Sequence, residues 1–166
     1  MTTLKIGDKA PKFEVKDNAD VVRKLSDYKG KKLVLFFYPK ASTPGCTVEA
    51  CDLRDNYKRF QSLGYEIVGV SADTAKRQQN FIDKHDLPFP LLADVDKEVI
   101  MSYGVWGPKK FMGREYDGIH RTTFVIDENG ILEDVILKVK TKAHSCLLYT
   151  SPSPRDKRQS RMPSSA

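Results

Sequence analysis

The run from Leu33 to Cys51 leaves this chain few ways to fold. Leu33-Val34-Leu35-Phe36-Phe37-Tyr38 is short, apolar, and rich in aromatic and β-branched side chains, which predicts a buried strand. Pro39 has no N–H to give a ladder, so the strand ends there. Thr43 suits a helix N-cap and Pro44 the first helical position, which makes Cys46 the third. The helix is expected to run from Pro44 to Leu63 and to stop at Gly64, before a second apolar strand, Tyr65–Ser71. A strand, a long helix and another strand make a βαβ unit, so the two strands should be parallel and their crossover right-handed.

The position of Cys46 has a chemical consequence. The first turn of a helix carries unpaired N–H groups and a partial positive charge, which favour a thiolate over a thiol. Cys46 is therefore a candidate nucleophile. Cys46, Ala50, Leu53, Tyr57 and Phe60 follow steps of four and three, so they share one face, expected to be the buried one. Cys51 lies five residues on, about 140° further round the helix and about 7.5 Å along it. That exceeds the roughly 7 Å between Cα atoms that a disulfide can span. If Cys46 and Cys51 ever bond, the first turns of the helix must unwind.

Pro39-x-x-x-Thr43-x-x-Cys46 resembles the active-site pattern of peroxiredoxins. Thr43-Pro44-Gly45-Cys46-Thr47 with Cys51 five residues later is similar to the peroxiredoxin Q subfamily, also called bacterioferritin comigratory protein. The likeness runs from about Leu4 to about Lys142. It implies a thioredoxin-like α/β fold with a central mixed sheet flanked by helices. It also implies a thiol peroxidase that reduces hydrogen peroxide and organic hydroperoxides and needs no cofactor.

By the same resemblance, Cys46 attacks the peroxide and becomes a sulfenic acid, which Cys51 resolves as an intramolecular disulfide. Thr43 is expected to touch the sulfur or the peroxide oxygen with its hydroxyl, and Pro39 to shield the pocket from water. Arg121, just ahead of a strand in Ile119-His120-Arg121-Thr122-Thr123, matches the distant arginine that favours the thiolate and polarises the O–O bond. Thioredoxin or a similar dithiol would return the disulfide to thiols. A monomer could complete such a cycle.

From the residues alone, Cys51 could equally fill a helix face and Arg121 could be a solvated edge charge. His120, beside Arg121, is given no catalytic role. A general thiol–disulfide oxidoreductase would call for Cys-x-x-Cys, which is absent. The alternative from another class is a redox-switched binding or chaperone module without steady turnover, in which unwinding exposes an apolar face.

A chain of 166 residues fits one domain with a real core. No apolar run approaches the roughly 20 residues of a membrane span. Met1-Thr2-Thr3-Leu4-Lys5 does not open a signal peptide, so a cytoplasmic protein is expected. Three cysteines do not suggest a disulfide scaffold, and His85, His120 and His144 lack metal-ligand spacing. The net charge is +6, half of it in the last twenty residues. No aromatic-interleaved basic motif supports nucleic-acid binding.

The remaining elements are expected in order. Phe13, Val15 and Val21-Val22 suggest a small hairpin at the sheet edge, and Leu25–Gly30 a helical turn closed by glycine. A helix capped by Asp73 or Thr74 should reach His85 and stop before Pro88 and Pro90. Leu91-Leu92 should be an edge strand, and Val95–Tyr103 a weaker helix. Gly104–Gly113 is expected to be a loop in which Trp106, Phe111 and Met112 either pack or rim a pocket. Thr122–Ile126 and Ile131–Val139 should pair across Asp127-Glu128-Asn129-Gly130.

The catalytic domain is placed at residues 1–145. Residues 146–166, with two prolines early and a basic, serine-rich end, are expected to be a disordered non-native tail that resembles translated adapter sequence. The closing helix of the fold would then be missing, exposing apolar sheet surface and lowering stability. Cys146 would have no catalytic meaning.

Overall fold

A computed structural model describes residues 2–111 and 113–136. Met112, the tail at 146–166 with Cys146, the end of the last expected strand and any closing helix lie outside the described residues.

The strand read from Leu33–Tyr38 is β3, Lys32–Phe37, preceded by the hairpin β1 (Glu14–Lys16) and β2 (Val22–Lys24) and a 3-10 turn at Leu25–Tyr28. It leads into α1 (Pro44–Asp55) and α2 (Tyr57–Ser62), then β4 (Tyr65–Ser71), α3 (Ala75–His85), β5 (Leu91–Ala93) and α4 (Glu98–Ser102). The chain continues through β6 (Trp106–Phe111), β7 (Arg114–Ile119), β8 (Thr122–Ile126) and β9 (Leu132–Ile136).

The five-stranded sheet has the order β5-β4-β3-β8-β9. β3 is parallel to β4, as the βαβ pattern requires, and antiparallel to β8. This is a mixed thioredoxin-like sheet with β3 at its centre. All of Leu33 to Tyr38 is buried, because both faces of β3 are covered. Leu33, Leu35 and Phe37 pack on one face with Phe124, Tyr103 and Val105. Val34, Phe36 and Tyr38 pack on the other with Cys46, Ala50, Leu53 and Phe60. Gly69 on β4 is fixed by this packing: a Cβ there would stand 2.6 Å from Leu91 Cδ2 and 2.8 Å from Phe36 Cζ.

Three expectations need correction. The single helix over 44–63 is two, because Asn56 leaves helical geometry at φ −110°, ψ 8°. Its side-chain amide donates to the Asp52 carbonyl at 2.9 Å, the competition with the backbone ladder typical of asparagine. The apolar face runs through the break, with Cys46, Ala50, Leu53 and Phe60 all buried. The helix expected at Val95–Tyr103 covers only Glu98–Ser102, since Lys97 is left-handed at φ 62° and the Asp94 carboxylate takes the Ile100 N–H.

The third correction is the largest. The segment read as a loop at Gly104–Gly113 contains β6, which pairs with β7 as a separate two-stranded ribbon. Gly107 and Pro108 hid it, since neither residue favours a strand interior. Among the described residues the ribbon joins no larger sheet, so Pro108 breaks no ladder beyond it there. Trp106 packs against the core, with the Lys97 ammonium 5.1 Å above its ring.

Candidate active site

The site lies just past the C-terminal end of β3, where the chain turns into α1. Pro39, half-buried, begins that turn after Tyr38. The Ala41 N–H donates to Asp73 Oδ2 at 2.7 Å, and Ser42 is left-handed at φ 65°. Asp73 is held in turn by the Ser71 hydroxyl at 2.6 Å. Gln78 of α3 donates to Ser71 Oγ at 2.8 Å and to the Leu92 carbonyl at 2.9 Å, and accepts from the Tyr38 hydroxyl. A buried polar network thus ties α3, β4 and β5 to the loop that opens α1. Each member has a partner, so its burial is compensated.

Thr43 occupies the N-cap position and Pro44 the first turn. The Thr43 hydroxyl does not cap, however. It points back and donates to the Lys40 carbonyl at 2.8 Å. Cys46, at the third helical position, is 1% exposed. Its sulfur accepts a hydrogen bond from Arg121 Nη2 at 3.3 Å.

Arg121 comes from the two-residue link between β7 and β8, so tertiary folding joins positions 75 residues apart. Gly45 makes room for it, since a Cβ there would lie 3.3 Å from Arg121 Nη2. The other arm of the guanidinium, Nη1, donates to Glu49 Oε1 at 2.7 Å. Burial works against the Arg121 charge, but Glu49 and Cys46 outweigh it, and the guanidinium holds its proton more firmly than usual. Arg121 is therefore a fixed cation against the sulfur.

Glu49 was not singled out in the sequence. It stands three residues after Cys46, hence on the same helix face, and is 0% exposed. The signal was present: an acidic residue on the flank of an apolar stripe. Burial pushes the Glu49 carboxyl up to about 7, against the opposing pull of Arg121.

Cys51 lies on the same helix as Cys46, half-buried, and both thiols are free. The His120 ring is held on the ribbon, its Nε2 3.0 Å from the Pro108 carbonyl. A cavity of about 640 Å³ lies near the opposite end of β3, lined by Phe13, Leu25, Tyr28, Leu33 and Ile126. None of the residues singled out around Cys46 lines it. Among the described residues, no helix is long and apolar enough to cross a membrane.

A buried thiol, a guanidinium against it, and a carboxylate holding that guanidinium can stabilise a thiolate and a developing oxyanion together. Comparison with known proteins agrees with that chemistry. The AhpC/TSA family model matches residues 6–135. The chain is 47% identical over 144 residues to a putative peroxiredoxin Bcp of Haemophilus influenzae, covering 87% of this chain and 93% of that protein. It is 49% identical over 142 residues to peroxiredoxin Bcp of Bacillus subtilis, covering 86% and 90%. The structure of the Xanthomonas campestris bacterioferritin comigratory protein, solved for its alkyl peroxide reduction activity, superposes with a TM-score of 0.80. That match has 30% identity and covers 91% of this chain and 96% of the other.

Proposed function

The chain belongs to the AhpC/TSA family, in its peroxiredoxin Q branch, and is a peroxidase; we propose that Cys46 is its peroxidatic cysteine and Cys51 its resolving one. The observation that carries this reading is the Arg121 guanidinium donating to Cys46 Sγ at 3.3 Å while Glu49 holds its other arm.

The Cys46 thiolate attacks one peroxide oxygen. An S–O bond forms, the O–O bond breaks with its electron pair on the departing oxygen, and that oxygen takes a proton to leave as water or an alcohol. Cys46 is oxidised by two electrons to a sulfenic acid. Arg121 stabilises the thiolate before the step and the developing negative charge during it. Pro39 walls off water. The Thr43 hydroxyl, bound to the Lys40 carbonyl in the resting site, keeps its lone pairs for an incoming hydroperoxide.

Cys51 then attacks the sulfenic sulfur, water leaves, and a disulfide forms. Both cysteines belong to one helix, Pro44–Asp55, so this step requires its first turns to unwind. Gly45 lowers the cost of melting there. A dithiol protein of the thioredoxin kind reduces the disulfide. Hydrogen peroxide and alkyl hydroperoxides are the substrates proposed, the second supported by the alkyl peroxide reduction activity named for the Xanthomonas campestris relative. The chain is proposed to act as a monomer in the cytoplasm, with residues 146–166 outside the catalytic domain.

The test is peroxide consumption with thioredoxin as reductant. Cys46→Ser is expected to abolish it. Cys51→Ser should keep one turnover and lose recycling by thioredoxin. Steady turnover in both variants would exclude this assignment, and a parent that is oxidised once without turning over would favour the redox-switched binding module.

A further inference from the structure

The cavity near the start of β3 is enclosed by three segments that bond to one another in a ring. The Leu25 N–H donates to the Phe13 carbonyl at 3.2 Å, joining the 3-10 turn to the segment that leads into β1. The Gly30 N–H donates to the Glu128 carbonyl at 3.1 Å, joining the end of that turn to the link between β8 and β9. The Ala10 N–H donates to the Gly130 carbonyl at 2.9 Å and closes the ring. Under it lies the sheet. Leu33 of β3 and Ile126 of β8 are register partners, so they share a face, and both line the cavity. Walls already bonded to each other need little ordering when a ligand enters. The volume of about 640 Å³ lies within the roughly 300–1,000 Å³ of small-molecule sites.

The lining has a charge as well as an apolar floor. Five lysines and three carboxylates border it, an excess of two positive charges. Lys24 lies 3.9 Å from Glu14, and Lys31 lies 3.9 Å from Glu66. Asp127 Oδ1 accepts the N–H groups of Asn129 and Ile131, each at 2.9 Å. Lys9, Lys12 and Lys29 are exposed and enter no ion pair among the described residues. A neutral apolar ligand would leave these cations unused, and a small inorganic anion would leave the floor unused. A molecule with an apolar body and an anionic head uses both.

We propose that this cavity binds a free long-chain carboxylate, with its chain over Leu33 and Ile126 and its head among Lys9, Lys12 and Lys29. The site is separate from Cys46, so the ligand is held there and is not turned over. Binding to the folded chain alone would raise the melting temperature by mass action.

The experiment titrates the full chain, by calorimetry, with dodecanoate below its micelle concentration, and in parallel with dodecanol and dodecyltrimethylammonium. Dodecanoate is expected to saturate at one per chain and to bind more tightly than either of the others. In methyl spectra, Leu25, Leu33 and Ile126 should shift, while Leu53 and Val70 should not. Lys12→Glu with Lys29→Glu changes only exposed side chains. It should weaken dodecanoate roughly tenfold, leave dodecanol unchanged and leave peroxide consumption at the parent rate.

Equal affinity for the cationic amphiphile, binding that does not saturate, or shifts confined to other methyls overturns the proposal. So does an undiminished affinity in the double lysine variant. Binding to phosphatidylglycerol vesicles with no response to free dodecanoate would assign the cations to a membrane surface instead and overturn it too.

Discussion

One guanidinium carries the site, and its two arms bind groups with opposite needs. Nη2 donates to the Cys46 sulfur, a nucleophile that positive charge favours, and Nη1 donates to Glu49, a carboxyl whose burial favours its neutral form. Burial raises the Glu49 carboxyl from 4.5 to about 7, so the folded state holds that proton where the unfolded chain has lost it. This contribution to stability is complete below about pH 4.5 and is lost as pH rises through about 7. It amounts to about 3 kcal/mol. Chemical denaturation of the parent between pH 5 and pH 8 should show the decline, and Glu49→Gln should flatten it. Gly45→Ala separates stability from chemistry. Alanine favours the helix by up to about 1 kcal/mol. Its Cβ, however, would press on Arg121 Nη2 from 3.3 Å. The variant is expected to melt no lower than the parent and to oxidise at Cys46 more slowly. Cys46 and Arg121 were legible as a pair only through the family pattern. Glu49 was missed because a charged residue on a helix reads as solvated until the partner that buries it is known.

At the scale of elements, the proposed cycle asks α1 to be well placed at its start yet able to melt there. The loop before it is held by Asp73, which accepts the Ala41 N–H at 2.7 Å. Asp73→Ala leaves that buried donor unpaired, at a cost of about 1–3 kcal/mol. Hydrogen exchange at amides 41–46 should quicken in this variant more than at β3 or β4. Unwinding should be visible directly: oxidation of the parent by one equivalent of peroxide should lower helical circular dichroism, and Cys51→Ser should abolish that loss. Packing is stricter in the sheet. Gly69→Ala drives a methyl to 2.6 Å from Leu91 and 2.8 Å from Phe36, and should cost about 1–3 kcal/mol in thermal unfolding. The strands β3, β4 and β8 were readable because buried strands are apolar runs bounded by breakers. Ribbon β6–β7 was not, because its pairing is local to itself and two of its positions are Gly107 and Pro108.

For the molecule as a whole, residues 146–166 are proposed to lie outside the catalytic domain, so a chain ending at 145 should match the parent in melting temperature and peroxide consumption. A lower melting temperature after that deletion would show that the segment contributes to the fold. The sequence by itself determined the βαβ core, the start of α1 at Thr43-Pro44 and the place of Cys46 in its first turn, because these follow from local sterics, caps and periodicity. It also determined that Cys46 and Cys51 cannot bond within an intact helix, since helical rise is fixed. Only the tertiary structure decided that one arginine bridges Cys46 and Glu49 and that Asp73 holds the loop. Those contacts join residues far apart in sequence, and their energies depend on burial and charge that exist only once the sheet has closed around them.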